Sequence, residues 1–385
     1  MEILMRKINI LHLCEHFGST PQNIHGVSRS FMVHIPRFDK DKYQITVCSR
    51  KWRESNADIL ERAGIELEFL GKGKFHPVNL IRLLKIINKR DIDILHCHGW
   101  GACTWGRIAG IMKKIPVIVH ERGFYPKWPL YQRPIEYLLA PFTAYSLAVS
   151  KQVKDFVSEQ RKINPDIIEV LYNGTELDKF KRADPLTVAK EKEKWGIDKN
   201  AKVIGTVARL SEEKRLDLII DAMLSVRNEL PDLYCVIVGE GNTHELLRDT
   251  MEGHDISDRI IFTGHSNNIA LLMSMFDVHV FSSYREGTPN TLYETCAVGN
   301  AVISTPVGGI PELLTEGETA LFYPFGDSKA LAKNLIRCFN TPGLLQKLRK
   351  NAKEKSKEFD CNKAVYRMQE IYDMLMEENS NGHLN

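Results

Sequence analysis

Tyr234-Cys-Val-Ile-Val-Gly-Glu240 is an almost unbroken apolar run that stops on a glycine, and Val117-Ile-Val-His-Glu-Arg122 is built the same way but stops on polar groups. Apolar residues that follow one another without alternation suit strands covered on both faces, as in a parallel sheet. Similar short runs occur at Lys7–Cys14, Tyr43–Ser49, Leu67–Leu70, Asp93–His98, Tyr145–Ser150 and Ile167–Asn173. A second series follows at Lys202–Ala208, Arg259–Gly264, Val278–Ser283, Ala301–Val307 and Thr319–Tyr323. Between them lie stretches such as Leu216–Leu230, with apolar residues at helical spacing. Strands alternating with helices predict an α/β chain with parallel sheets.

The alternation breaks once. Residues 179–200 are polar, with Asp184-Pro185 and a charged, helix-like run to Trp195, before strands resume at Lys202. The break predicts two doubly wound domains facing a cleft, and in such sheets ligands sit outside the carboxyl ends of the strands. A length of 385 residues suits two domains. Asp327–Phe339 and Asn362–Glu378 read as closing helices.

Composition excludes several classes. The chain is 43% hydrophobic and 26% charged, ordinary for a globular protein. A net charge of only +3 speaks against a nucleic-acid binder. That total combines unlike halves: residues 1–178 carry 26 Lys+Arg and 19 Asp+Glu (+7), and the remainder 26 and 30 (−4). The basic half is a candidate for an anionic partner. The eight cysteines are scattered without a CxxC pair and read as reduced, buried thiols. Met1-Glu2 has no basic leader pattern, and Tyr137–Ser150, interrupted by Pro141, is shorter than the roughly 18 residues of a membrane span. A cytoplasmic location is the expectation.

The richest stretch is Ser282-Ser-Tyr-Arg-Glu-Gly-Thr-Pro-Asn-Thr-Leu-Tyr-Glu294. A strand ends at Ser283, Thr288 can cap a helix with Pro289 at its first position, and the amides of Asn290 and Thr291 then point out of a positive helix end. Glu286 and Glu294 can accept hydrogen bonds from hydroxyl groups there. The same residues also read as a plain strand–loop–helix joint with solvated glutamates. Gly205-Thr-Val-Ala-Arg-Leu-Ser-Glu-Glu-Lys214 places Arg209 and Lys214 after a strand, two cations able to clamp a diphosphate or simply two loop cations. Val238-Gly-Glu-Gly241 reads as a tight turn, and Thr305-Pro-Val-Gly-Gly-Ile-Pro-Glu312 as a turn or a close backbone approach to a ligand.

In the first half, His25-Gly-Val-Ser-Arg29 reads as a loop, and His96-Cys-His98 and His120-Glu-Arg122 end strands. His96 and His98 as a metal pair lack a third ligand in the spacing. Asp91 and Asp93 read as a loop-to-strand junction. No P-loop and no Gly-x-Ser-x-Gly elbow occurs.

Together these residues resemble a retaining glycosyltransferase of family 4, the glycosyl transferases group 1, with a GT-B fold of two Rossmann-like domains. Glu286 and Glu294 within Arg-Glu-Gly-Thr-Pro-Asn-Thr-Leu-Tyr-Glu-Thr-Cys-Ala-Val-Gly resemble that family's most specific signature. Gly205–Lys214 resembles its diphosphate segment, Asn173-Gly174 with Phe180 its interdomain stretch, and His96-x-His98 and His120-Glu121 its amino-domain strand ends.

The resemblance implies an acceptor-binding domain over 1–185, a nucleotide-sugar-binding domain over 186–360, and a C-terminal helix, 361–385, packing back on the first. It implies catalytic roles for His120, Glu286, Arg209 and Lys214. The substrate-binding set would be Gly26, Arg209, Lys214, Glu286, Gly287, Thr288, Asn290, Thr291 and Glu294. No metal and no cofactor are implied. The expected partners are a nucleoside-diphosphate sugar and a sugar, lipid-linked or small-molecule acceptor, without nucleic acid. The basic N-terminal half, with Trp52, Trp100, Trp105 and Trp128, is a candidate for peripheral contact with the inner face of a membrane. The family pattern has two glycines where this chain has His25-Gly26, and Asp where it has Glu176. The rival readings are a nucleotide-sugar epimerase on the same fold and a non-catalytic sugar-nucleotide-binding subunit.

Overall fold

The computed structural model describes residues 6–18, 26–74, 76–123, 130–251 and 256–380. Contacts divide the chain into one unit of residues 1–173 with 361–385, and a second of residues 174–360. The dividing point therefore falls before the expected 185/186. The reason is Arg182, whose guanidinium donates to Ser274 O (2.8 Å), Phe276 O (3.2 Å) and Asn300 Oδ1, so residues 174–185 are held in the second unit.

The first unit contains a seven-stranded parallel sheet: β1 (Ile8–Cys14), β2 (Tyr43–Ser49), β3 (Glu66–Phe69), β4 (Ile94–His98), β5 (Val117–Glu121), β6 (Tyr145–Ala148) and β7 (Ile168–Val170), in the order β3-β2-β1-β4-β5-β6-β7. The second contains a six-stranded one: β8 (Lys202–Val207), β9 (Leu233–Val238), β10 (Ile260–Gly264), β11 (Val278–Phe281), β12 (Ala301–Ser304) and β13 (Ala320–Phe322), in the order β10-β9-β8-β11-β12-β13. Both orders reverse beside the first strand of the unit, at β1/β4 and at β8/β11. Open α/β sheets bind ligands at that switch point.

Each sheet is covered on both faces, which explains the unbroken apolar runs. Leu11, Leu13, Leu95, Cys97 and Val119 face one core of the first unit, and Ile10, Cys14, Ile94 and Ile118 face another. The second core is closed by Ala364, Val365, Met368, Ile371 and Leu375 of the Cys361–Ser380 helix. In the second unit Ile204, Ile237, Val280 and Ile303 face one core, and Val203, Val236 and Val238 pack with Phe276 on the other. All eight cysteines are free and buried.

The Val238-Gly-Glu-Gly241 glycines serve backbone packing. A Cβ on Gly239 would lie 2.0 Å from Ala208 O, and one on Gly241 2.0 Å from Leu210 O. Their absence lets the chain after β8 run beside the end of β9, with Ala208 N donating to Val238 O (3.0 Å) and Leu210 N to Glu240 O (2.9 Å). Asp91 and Asp93 join β1 to β4 at their amino ends. Asp93 accepts from Asn9 N (2.8 Å) and Arg6 Nη2 (3.1 Å), and Asp91 adopts a left-handed conformation at φ 50°.

Below β5 the first unit buries charge. Arg161 pairs with Glu121 at 2.5 Å, both inaccessible or nearly so. Burial pushes the Glu121 carboxyl up, against the pull of Arg161. Arg161→Met would leave a carboxylate buried without its counter-charge, a loss of about 3–5 kcal/mol. Urea unfolding near pH 8 is expected to show that loss. A smaller loss is expected near pH 5, where Glu121 can take up a proton. An unchanged midpoint at both pH values would overturn this account.

Candidate functional site

At the β8/β11 switch point, Thr206, Val207 and Ala208 meet Phe281, Ser282 and Ser283 in one pocket with Lys214, Glu286 and Thr291. Lys214 closes a single turn, Glu212–Lys214, whose backbone is pinned by Ser282 Oγ donating to Lys214 O (2.6 Å). Lys214 Nζ donates to Glu286 Oε1 (2.5 Å), and Ser283 Oγ donates to the same oxygen (2.7 Å). Thr305 Oγ1 in turn donates to Ser283 O (2.7 Å). The Thr305–Glu312 glycines approach protein, not open space: a Cβ on Gly308 (φ +60°) would lie 2.3 Å from Glu286 O, and Gly309 N donates to Gly287 O (2.6 Å). Glu286 and Gly287 are thereby fixed by the loops after β8, β11 and β12.

The helix after this loop is Asn290–Val298, with extended Pro289 (ψ 129°) at the cap position and no side-chain cap bond there. It starts one residue later than expected, because Pro289 stays outside helical geometry. The Asn290 and Thr291 amides still occupy the first turn, where intrahelical acceptors do not exist. Thr288 is buried, Gly287, Asn290 and Thr291 are half-buried, and Glu294 is buried one turn into the helix.

Neither expected cation is bare. Lys214 meets Glu286, and Arg209, 48% exposed, donates to Glu213 Oε1 at 2.5 Å. Burial pushes the Glu213 carboxyl up, but Arg209, Lys214 and Arg285 together outweigh it and hold it low. Clustered cations repel unless carboxylates lie between them.

The carboxyl ends of the first sheet carry four histidines. His12 on β1 is in register with His96 on β4, and His98 with His120 on β5, so all four lie on one face. All are buried. His12 Nδ1 lies 3.0 Å from His98 Nε2, and His96 Nε2 3.0 Å from His120 Nδ1. Tyr372 OH, from the Cys361–Ser380 helix, lies 2.7 Å from His96 Nδ1 and 3.1 Å from His12 Nε2. Arg122 Nε points at His98 Nδ1 (3.5 Å), while its Nη1 donates to Ser30 Oγ (3.0 Å) and Asn173 Oδ1 (2.7 Å). Burial, aided by the Arg122 charge and the neighbouring rings, lowers all four, His12 to about 3. Ligand atoms of His12, His96 and His98 lie within 4.8 Å of one another. Those nitrogens are engaged in the hydrogen bonds just described, and a guanidinium stands beside them.

Gly26 does not lie in a loop; it starts the Gly26–His34 helix, is exposed, and has no atom of the described residues within 4 Å of its Cβ position. His25 and Trp128 lie outside the described residues. Trp52 is 61% exposed, whereas Trp100 is buried and Trp105 is half-buried with its indole donating to Lys74 O (2.9 Å), so these two do not form an exposed aromatic surface.

Sequence reasoning missed His12, Tyr372 and His279. The signal for His12 and His279 was a lone polar residue within an apolar strand. His279 Nε2 accepts from Val207 N (3.3 Å), so its Nδ1 carries the proton and faces Thr295 Oγ1 (2.6 Å), tying β8 to the Asn290–Val298 helix. Tyr372 had no local signal.

Two family models divide the chain between them: "Glycosyltransferase Family 4" matches residues 24–179 and "Glycosyl transferases group 1" residues 187–355. The chain belongs to the family 4 glycosyltransferases. This glycosyltransferase is 27% identical over 311 residues to the N-acetyl-alpha-D-glucosaminyl L-malate synthase of Bacillus anthracis, covering 79% of this chain and 80% of that one. It is 26% identical over 313 residues to the UDP-Gal:alpha-D-GlcNAc-diphosphoundecaprenol alpha-1,3-galactosyltransferase of Escherichia coli, covering 77% and 80%. Its fold matches Anabaena HepE, crystallised with UDP, at a TM-score of 0.84 and 20% identity over 95% of this chain and 100% of that one. The fold of the glycosyltransferase is therefore GT-B.

Burial holds the His279 imidazole at about 3, well below its usual 6.5. The unfolded chain takes up that proton first, so stability is full above about pH 6.5 and falls as pH drops towards about 3. The slope for one such group is about 1.4 kcal/mol per pH unit. Urea unfolding of the second unit is expected to show a shallower pH dependence in His279→Gln than in the wild type between about pH 6.5 and 5. Equal slopes would rule out a buried neutral His279.

Proposed function

We propose that this glycosyltransferase moves a sugar from a nucleoside diphosphate to an acceptor hydroxyl with retention of configuration. The observation that carries this reading is the Lys214–Glu286–Ser283 knot beside the amino end of the Asn290–Val298 helix at the β8/β11 switch point. An ammonium has three donors, so Lys214 can hold Glu286 and a phosphate oxygen together. With Arg209 it stabilises the charge that develops on the departing diphosphate, which makes a divalent metal unnecessary. Glu286 and the backbone from Gly287 to Thr291 hold the donor sugar, Glu294 the ribose, and His120 lends its outer nitrogen to the sugar. Gly26 supplies a side-chain-free approach to the diphosphate. Glu286 Oε1 accepts from both Lys214 and Ser283, so this reading assigns Glu286 to holding the sugar and includes no covalent glycosyl–carboxylate intermediate. The UDP bound to HepE and the UDP-Gal named for the Escherichia coli relative support the donor class.

The acceptor in this reading is a sugar on a lipid or small carrier, met at a membrane surface by the first unit. The Gln132–Leu139 helix supports that role because it is inverted: Gln132 and Glu136 are buried, and Tyr137 and Leu138 are 57% and 73% exposed. Arg107 holds Glu136 inside at 2.7 Å. Leu130, Tyr131 and Phe142 flank the helix, exposed, and Lys162 lies over the Tyr137 ring. Among the described residues no helix is long and apolar enough to cross a membrane, so contact would be peripheral.

Calorimetry against UDP, GDP, ADP and TDP is expected to find one tight nucleoside diphosphate. With its sugar derivative, Lys214→Ala and Glu286→Ala are expected to lose roughly 100-fold or more in kcat/KM. Turnover should survive EDTA. Binding of none of the four, or full activity in both variants, would refute the reading. Separately, Leu138→Glu is expected to lower co-sedimentation with anionic phospholipid vesicles while leaving nucleotide binding intact. Unaltered co-sedimentation would sink the membrane role.

A further inference from the structure

The ring nitrogens of the first unit form a single file. Each of the four histidines uses both nitrogens, except that His120 Nε2 is buried and has no partner among the described residues. A guanidinium can only donate, so the His98 Nδ1 that faces Arg122 Nε must be a lone pair. A neutral imidazole carries one proton, so His98 Nε2 carries it and donates to His12 Nδ1. His12 then donates from Nε2 to the Tyr372 oxygen, and Tyr372 passes its own proton to His96 Nδ1. His96 donates from Nε2 to His120 Nδ1. His120 must therefore carry its proton on Nε2.

We infer that Arg122 and Tyr372 are positioning residues, which act through His98, His12 and His96 to hold His120 as a hydrogen-bond donor at Nε2. The file has only one other neutral arrangement, with every proton reversed. That arrangement turns His120 Nε2 into an acceptor and sets His98 Nδ1–H against the Arg122 donor. Arg122 decides between them. Among the described residues, the groups that face the file from neighbouring elements do not compete with it. Phe31 meets His12 and His98 edge-on, and His34 is turned to Asn173 O (2.8 Å). Glu121 lies on the opposite face with Arg161. Burial lowers all four imidazoles, so the file stays neutral near pH 7.

The use of this donor rests on the sugar-transfer reading: the N–H left over at the end of the file selects a substrate lone pair, such as a sugar hydroxyl oxygen, and rejects a substrate donor at the same place. The proton positions themselves do not rest on it. Long-range proton–nitrogen correlation of the ¹⁵N-histidine-labelled full chain reads, ring by ring, which nitrogen is protonated; His120→Asn assigns the His120 pattern. In the wild type all four rings are expected to carry the proton on Nε2. Tyr372→Phe cuts the file, so His98 and His12 should keep Nε2–H while His120 becomes a mixture. Arg122→Met should release all four. A break that acts only downstream is not what a general loosening of structure produces. In kinetics, Tyr372→Phe is expected to lose about tenfold in kcat with little change in nucleotide affinity. Nδ1–H on wild-type His120, or pure Nε2–H in both variants, overturns the inference. If the predicted tautomers are found but no sugar is transferred, the inference stands and the functional reading fails.

Discussion

A strand buried on both faces has only its end to give to chemistry. Everything polar along its length must be matched inside the protein, so substrate-facing groups gather where the strand stops. Both sheets obey this constraint. The second unit spends the ends of β8 and β11 on a cation–carboxylate–hydroxyl knot. The first spends the ends of β1, β4 and β5 on imidazoles. The two solutions differ in how they keep polar groups ordered. The knot uses full charges held against one another across three loops, and the histidines use neutral rings that each give one proton and take one.

Neighbouring loops make the knot stiff. Gly308 matters here as a place where a side chain cannot be, since its bare Cα lets the loop after β12 press on the carbonyls of Glu286 and Gly287. His279 works from below, linking the end of β8 to the helix that starts at Asn290. A site assembled this way loses little entropy when a ligand arrives, because its loops are already fixed by backbone hydrogen bonds.

Much of this was legible in the chain. Every strand run read from apolar continuity falls on one of the thirteen strands among the described residues, since double burial writes itself into consecutive residues. The loops after β8 and β11 were legible because glycine, proline and paired charges cluster there. Three things were not. The unit boundary was misplaced because Arg182 reaches its acceptors through tertiary packing that no local pattern marks. The partners of Arg209 and Lys214 were invisible because Glu286 is 72 residues from Lys214, and Glu213 reads as one more loop charge. The histidine file joins β1, β4, β5 and the last helix, with 360 residues between His12 and Tyr372.

That last separation has a consequence for how the protein is made. Strands β1 to β7 are translated before the second unit, yet Tyr372 and the apolar face of the Cys361–Ser380 helix are translated after it. Until the ribosome has delivered the Cys361–Ser380 helix, the core holding Ile10, Ile94 and Ile118 has one wall missing. The domain that begins first is thus completed second, after the unit inserted within it. A nascent or truncated chain would show this glycosyltransferase with an open hydrophobic flank, a natural client for chaperones.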